Sequence, residues 1–320
     1  DENGQLKDIS FNPPSNYNFA FDVLDELAKK CPDKTAMVWL SKEKEKRVFT
    51  YADISRNSSK AANYLKSLGI GKGDKVILVL KRHYQFWFIL NALHKLGAVA
   101  IPASHLLTAL DFDYRLNAAG IKAAICTVDN DIPKHLEEGS VNAPSLQIKI
   151  SVNGRVEGWH HFDSEFEAFP DTFERPEDQS IDDPMLMYFT SGTTGYPKIA
   201  VHTFAYPLGH IVTARYWQNV DPDGLHLTVS DTGWGKAAWG KIYGQWLCEA
   251  AVFTYDFDKF EASDLLSLFK EHNITTFCAP PTIYRFFIKE DLKKYDLSSL
   301  KYVTTAGEAL NPEVWQQFKA

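Results

Sequence analysis

Short apolar runs without clean polar alternation recur along most of this 320-residue chain, and a segment of helical periodicity separates each from the next. KVILVL at 75–80, VAIP at 99–102 and AAICTV at 123–128 form a first set. MLMYFT at 185–190, LHLTVS at 225–230, AAVFTY at 250–255, ITTFCA at 274–279 and KYVTTA at 301–306 form a second. Helical patterns fall near 85–96, 109–119, 204–218, 236–247, 262–272 and 281–290. A strand that is apolar on both sides must be covered on both faces, and parallel pairing needs a crossover long enough to hold a helix. The alternation therefore predicts an α/β fold with two lobes of mainly parallel β-sheet flanked by helices. The stretch 129–180 is irregular and rich in Asp, Glu, Pro and Gly, which sets a lobe boundary near 176–184. One lobe is expected over residues 1–180 and the other over 181–320.

The first 70 residues are more mixed. A helix is expected over 19–30, with Phe21, Leu24, Leu27 and Ala28 on one face. TAMVWL and KRVFTY read as a hairpin joined by the solvated charged turn SKEKE. Thr50 with Asp53 three residues on resembles a capping box, Asp standing in for Glu, and the helix it opens ends at Gly69.

Composition narrows the class. Hydrophobic residues at 45% and charged residues at 23% are globular values, and the length suffices for a core without disulfide or metal staples. The 34 Lys and Arg against 41 Asp and Glu, a net charge of −7, argue against a nucleic-acid partner. Cys31, Cys126, Cys248 and Cys278 show no metal-ligand spacing, and Cys126 and Cys278 sit in apolar runs, which fits a reducing compartment. The opening DENGQLKDIS does not read as a signal peptide, and a cytoplasmic location is expected. The longest apolar stretch, FWFILNAL, meets His94 and Lys95 and is too short for a membrane span.

The strongest chemical signal is MYFTSGTTGYPK at 187–198. An apolar strand ends at Thr190, and Ser191, Gly192, Thr193, Thr194 and Gly195 follow, closed by Pro197 and Lys198. The glycines let the backbone curl so that several N–H groups address one anion; the hydroxyls add donors and Lys198 a mobile cation. The spacing is not that of a Walker A loop, because Lys198 stands three residues beyond Gly195 and Pro197 delays a helix. The bland alternative is a solvated Ser/Thr/Gly turn. GIGKGDK at 69–75 precedes a strand rather than a helix and reads as a helix-ending turn. His160–His161 is an adjacent surface pair, His202 a satisfied loop or core histidine, and no GxSxG elbow is present.

The 187–198 segment resembles the phosphate-binding signature of the adenylate-forming, AMP-binding enzyme superfamily. LHKLGAVAIPAS at 93–104, SDTGW at 230–234, CAPPTIYRFF at 278–287 and TTAGEALNPEVW at 304–315 resemble further family segments in the same order. SDTGW and AGEALNPE are most similar to the acetyl- and medium-chain acyl-CoA synthetase branch, and the chain reads as the N-terminal part of such a protein. The resemblance implies a ligase that uses ATP, Mg2+ and coenzyme A in fatty acid metabolism, converting a small carboxylic acid to an acyl-adenylate and then a thioester. It implies phosphate contacts from Thr190, Ser191, Gly192, Thr193, Thr194, Gly195 and Lys198, and adenine contacts from Gly307, Glu308 and Ala309. It sets Trp234, Gly235, Lys236 and Trp239 beside the acyl group. The family's metal-binding Glu and its catalytic Lys belong to motifs that would follow residue 320, so the chain alone is expected to be inactive and Glu308 is no substitute. Two alternatives stand beside this reading: an amino-acid adenylation domain, with Asp231 binding an ammonium, and a non-catalytic nucleotide-binding module.

Overall fold

Thirteen strands form two sheets among the described residues of this computed structural model, which are 6–190 and 195–319. In chain order they are β1 (Thr35–Leu40), β2 (Lys46–Thr50), β3 (Lys75–Val79), β4 (Val99–Pro102), β5 (Ala123–Thr127), β6 (Ile148–Val152) and β7 (His160–His161). Then come β8 (Pro184–Thr190), β9 (Lys198–Thr203), β10 (Leu225–Thr228), β11 (Ala251–Tyr255), β12 (Thr276–Ala279) and β13 (Tyr302–Thr305). The first sheet has the order β7-β6-β5-β3-β4-β8-β9 and the second β13-β12-β10-β11-β1-β2. Every pairing is parallel except β1 with β2 and β8 with β9. Helices cover both sheets, as continuous apolar strands require.

The sheets do not divide the chain at residue 180. The hairpin β1–β2 joins the second sheet, where Met37 to Leu40 pair with Val252 to Tyr255. Strands β8 and β9, downstream of the expected boundary, complete the first sheet beside β4. Partners so distant in sequence leave no trace in local composition. Strand β9 was itself unexpected; it pairs antiparallel with β8, and the following helix starts at Tyr206. The single helix expected over 236–247 is two, Gly235–Lys241 and Tyr243–Leu247, broken at Ile242 (φ −144°, ψ −84°). Residues 19–30 are helical but start with a wide turn over Ala20–Asp25 before Glu26–Lys30.

Other local readings hold. Thr50 Oγ1 accepts from the Asp53 N–H, and the Asp53 carboxylate accepts from the Thr50 N–H, so the box opens Tyr51–Ser67 as expected. Thr108 and Asp111 repeat the device at Ala109–Ala119. No described helix is long and apolar enough to cross a membrane.

The helix Gln85–Leu96 is buried along its whole length and shares one apolar cluster with strands of both sheets, including Met37, Trp39, Val76, Leu78 and Val252. Several of its polar groups find partners across the interior. Trp87 Nε1 donates to Lys241 O at 3.0 Å, and His94 Nε2 lies 2.8 Å from the Tyr243 hydroxyl. Lys95, 1% exposed, places its ammonium 2.8 Å from Asp25 Oδ1 and 2.9 Å from Ser59 Oγ. A buried cation deprived of its counter-charge is strongly destabilising. Asp25→Asn is therefore expected to cost about 3 kcal/mol, read as a lower urea midpoint. An unchanged midpoint would show that Lys95 does not depend on this partner.

Candidate active site

In open α/β sheets, ligands sit beyond the carboxyl ends of the strands. Here the carboxyl ends of the two sheets meet. Residues 230–234 follow β10 of the second sheet, and Thr232 N donates to Lys81 O, just beyond β3 of the first, at 3.1 Å. Gly233 lies so close to the loop after β4 that an added Cβ would stand 2.2 Å from the Ala103 carbonyl carbon, which is why only glycine fits. The three segments singled out from the sequence all leave such ends: the hydroxyl-rich loop after β8, residues 230–234 after β10, and the 306–309 turn after β13.

At the loop, Thr190 and Lys198 are register partners that close the β8–β9 hairpin. Ser191, Gly192, Thr193 and Thr194 lie outside the described residues. Gly195 has φ +98°, a backbone state that favours glycine. Lys198 is exposed, and its ammonium has no partner among the described residues. The far shoulder of the loop is tied down by the Ala109–Ala119 helix. Tyr114 donates its hydroxyl to Pro197 O at 2.8 Å and stacks on Tyr196, ring centroids 5.0 Å apart.

On the second sheet, Trp234 is exposed and Gly235 opens a helix that presents Lys236 and Trp239, both half-buried. The Lys236 ammonium donates to Ala306 O at 2.6 Å and lies 5.8 Å from the Trp239 ring centre. Burial lowers its pKa, with Cys278 and Glu308 opposing the shift. Lys236 thus brings the expected acyl-side segment against the expected adenine-side segment. Gly307 has φ +107° and, with Glu308 and Ala309, is exposed. The Glu308 carboxylate accepts from Thr282 Oγ1 at 2.7 Å and from Arg285 Nη2 at 2.5 Å. His202 is a packed histidine as expected, its ring 4.0 Å from that of Tyr206 and its pKa lowered by burial.

What sequence reasoning missed is a charged joint at the same rim. Lys81, Arg82 and His83 follow β3 and are nearly buried; they meet Asp129 after β5 and Asp256 and Asp258 after β11. The His83 ring nitrogens lie 2.8 Å from Asp256 and 3.0 Å from Asp129. Arg82 lies 3.7 Å from Asp231, and His105 Nδ1 lies 2.5 Å from the same carboxylate. The run KRH directly after an apolar strand was the available signal. Burial works against a charge on His83, but the hydrogen bonds to Asp129 and Asp256 outweigh it and raise its pKa to about 9. The same pairing holds Asp129 well below the usual carboxylate range.

These two mainly parallel sheets, covered by helices, define an α/β protein. Residues 24–320 match the AMP-binding enzyme family, and the chain belongs to that family. It is 35% identical over 314 residues to the human "Acyl-coenzyme A synthetase ACSM4, mitochondrial", covering 96% of this chain and 54% of that protein. To human "Acyl-coenzyme A synthetase ACSM3, mitochondrial" it is 33% identical over 325 residues, covering 98% and 54%. Among solved structures it superposes on the anthranilate CoA ligase AuaEII in complex with anthranoyl-AMP with a TM-score of 0.87, at 25% identity over 96% of this chain and 58% of that one. The Brucella canis acyl-CoA synthetase shares the fold, with a TM-score of 0.84 at 20% identity over 97% and 56%. The chain spans about half the length of the curated relatives it matches. Those relatives are named as mitochondrial, which overturns the expected cytoplasmic location. Reduced cysteines mark a reducing compartment and do not single out the cytosol.

The charged joint carries a pH dependence. A histidine whose folded pKa lies above its unfolded value of about 6.5 contributes stability below that value and loses it as pH rises through the folded pKa. Stability is expected to decline between about pH 6.5 and pH 9. Urea unfolding across this range should show a flatter alkaline limb for His83→Gln. Parallel limbs in the two proteins would mean His83 holds no extra proton.

Proposed function

We propose that the full-length protein is an AMP-forming acyl-CoA synthetase, and that this chain supplies its ATP- and acid-binding surfaces. Support comes from family membership and, above all, from the Lys198 ammonium, exposed at the end of a hydroxyl-rich hairpin with no partner among the described residues. In the first step the acid's carboxylate oxygen attacks the α-phosphorus of ATP and pyrophosphate leaves. In the second, the thiol of coenzyme A displaces AMP. Thr190, Ser191, Gly192, Thr193, Thr194, Gly195 and Lys198 would hold the β- and γ-phosphates, where a cation and N–H dipoles stabilise the departing charge. Gly307, Glu308 and Ala309 would lie along the adenine. Among the described residues no group of three or more His, Cys, Asp or Glu side chains could hold a metal ion.

One observation weighs on the choice of acid. Asp231, the residue that would bind an amino acid's ammonium, is nearly buried and already engaged by His105, Arg82 and the Gly233 N–H at 2.8 Å. A carboxylate so occupied is a poor receptor for a second cation, which favours an acyl substrate over an amino acid. Trp234, Gly235, Lys236 and Trp239 would border the acyl group, and the half-buried Trp239 leaves little room for a long chain. A short, medium or branched acid is favoured.

Carboxylate-dependent pyrophosphate exchange in the full-length protein tests the reading. Lys198→Ala should lower exchange by about 100-fold, the usual loss for one donor to transition-state charge, without change in thermal stability. Exchange kinetics equal to wild type would remove Lys198 from the phosphate site. Trp239→Ala should shift preference towards longer acids, because each methylene newly buried contributes about 0.8 kcal/mol. A wild-type preference for palmitate-length acids would overturn the proposed size limit.

A further inference from the structure

The helix break at Ile242 has a single organiser. Gln245 is fully buried, and its amide makes three hydrogen bonds to three separate places. Its Oε1 accepts from Ile242 N at 3.2 Å, at the break itself. Its Nε2 donates to Trp239 O at 3.2 Å, in the last turn of Gly235–Lys241. The same Nε2 donates to Gln218 Oε1 at 2.7 Å, in a different element.

Gln218 ends the wide turn Thr213–Trp217, where its N–H bonds back to Thr213 O at 2.9 Å. A wide turn carries an extra residue relative to the α-helix and so re-aims the side chains at its end. The side chain re-aimed here is Trp217, whose ring centre lies 5.7 Å from that of Trp239. One amide therefore connects the backbones that carry both tryptophans. The neighbouring residue tightens the same joint: a Cβ on Gly244 would stand 2.4 Å from His210 O and 2.7 Å from the Ala214 methyl. Helix Tyr243–Leu247 is thus pressed against the segment bearing Trp217, with Gln245 fixing its register. Gln218 is 1% exposed, and its amide oxygen accepts the bond from Gln245, which ties the end of the wide turn to the helix break.

We infer that Gln245 is a positioning residue for the acid-binding surface, setting the spacing of Trp217 and Trp239 and through it the size of acid accepted. This rests on the proposed function, in that Trp239 borders the acyl group. Gln245 itself reaches the acid only through the two rings. An apolar side chain of similar size would fill its place but make none of the three bonds. The break and the wide turn would then relax separately, and the two rings would part.

The test uses the full-length protein with Gln245→Leu and, as a milder variant, Gln218→Met, which removes the bond between the two amides and leaves the Gln245 bonds to Ile242 and Trp239 in place. Acid-dependent exchange is measured over a homologous series of straight and branched acids. The expected result is a change of about tenfold in the kcat/KM ratio between short and longer acids, with KM for ATP within about twofold of wild type. A purely structural role would lower the active fraction and leave that ratio untouched. A second readout needs no activity: the far-ultraviolet exciton signal of the Trp217–Trp239 pair, identified by subtraction of the Trp239→Phe spectrum, should weaken in both variants. If wild type shows no acid-dependent exchange, the functional reading falls and the exciton signal alone decides the role of Gln245. An unchanged acid ratio in an active enzyme, or an unchanged exciton signal, overturns the inference.

Discussion

Two separate sheets can serve one site only if their carboxyl ends are fixed against each other, and in this protein buried charge does the fixing. Lys81, Arg82 and His83 leave the first sheet and meet Asp231, Asp256 and Asp258 from the second. Removing such groups from water is costly, and their mutual attraction repays it only when geometry and hydrogen bonding are good. The geometry is dense: Trp39 Nε1 donates to Arg82 O at 2.9 Å, Arg82 donates to Phe257 O, and Thr232 donates to Lys81 O. Apolar packing between the sheets is tolerant of small slides. A network of directed bonds is not, and the rim inherits its alignment from the network.

The same rule operates away from the rim. The helix Gln85–Leu96 is buried on every side, yet it carries Asn91, His94 and Lys95, each of them hydrogen-bonded. His94 sits where burial pushes its pKa down to about 3, so it packs as a neutral ring against Tyr243. Its backbone oxygen accepts from Asn18 Nδ2 at 2.7 Å and Gln179 Nε2 at 3.1 Å, which draws two distant stretches of chain onto one helix. Polar groups in this interior specify who packs against whom, and the apolar surface around them supplies the driving force.

Local features were legible in the sequence and long-range ones were not. The apolar strands, the hairpin of TAMVWL and KRVFTY and the Thr50–Asp53 box depend on residues within a few positions of one another, and all are present. The hydroxyl-rich loop declared itself by residue type, and the segments around Lys236 and Gly307 by resemblance to a family. The sheet membership of β1, β2 and β8 depends on partners elsewhere in the chain, which no window of residues reports. Strand β9 was hidden because IAVHT is too short an apolar run to stand out by itself, and its antiparallel pairing with β8 was needed to reveal it. The break at Ile242 was hidden because an amphipathic pattern continues through it while a buried glutamine redirects the backbone. The acidic partners of Lys81, Arg82 and His83 look like surface residues until the two sheets are assembled.

The placement of the β1–β2 hairpin also sets a timetable. Residues 35–50 leave the ribosome about 200 residues ahead of their partner β11. At roughly 5–20 residues per second, that interval is on the order of 10–40 s. During it the apolar edge of β1, Thr35–Leu40, has only the short strand β2 beside it and offers unpaired N–H and C=O groups to any passing chain. The hairpin meets this wait with the charged turn SKEKE and an exposed Lys46–Arg47 pair on its outer strand, both of which discourage edge-to-edge association. A sheet completed by so early a hairpin thus carries a biosynthetic delay, and the nascent polypeptide bears it in a stretch that is solubly edged but not yet paired.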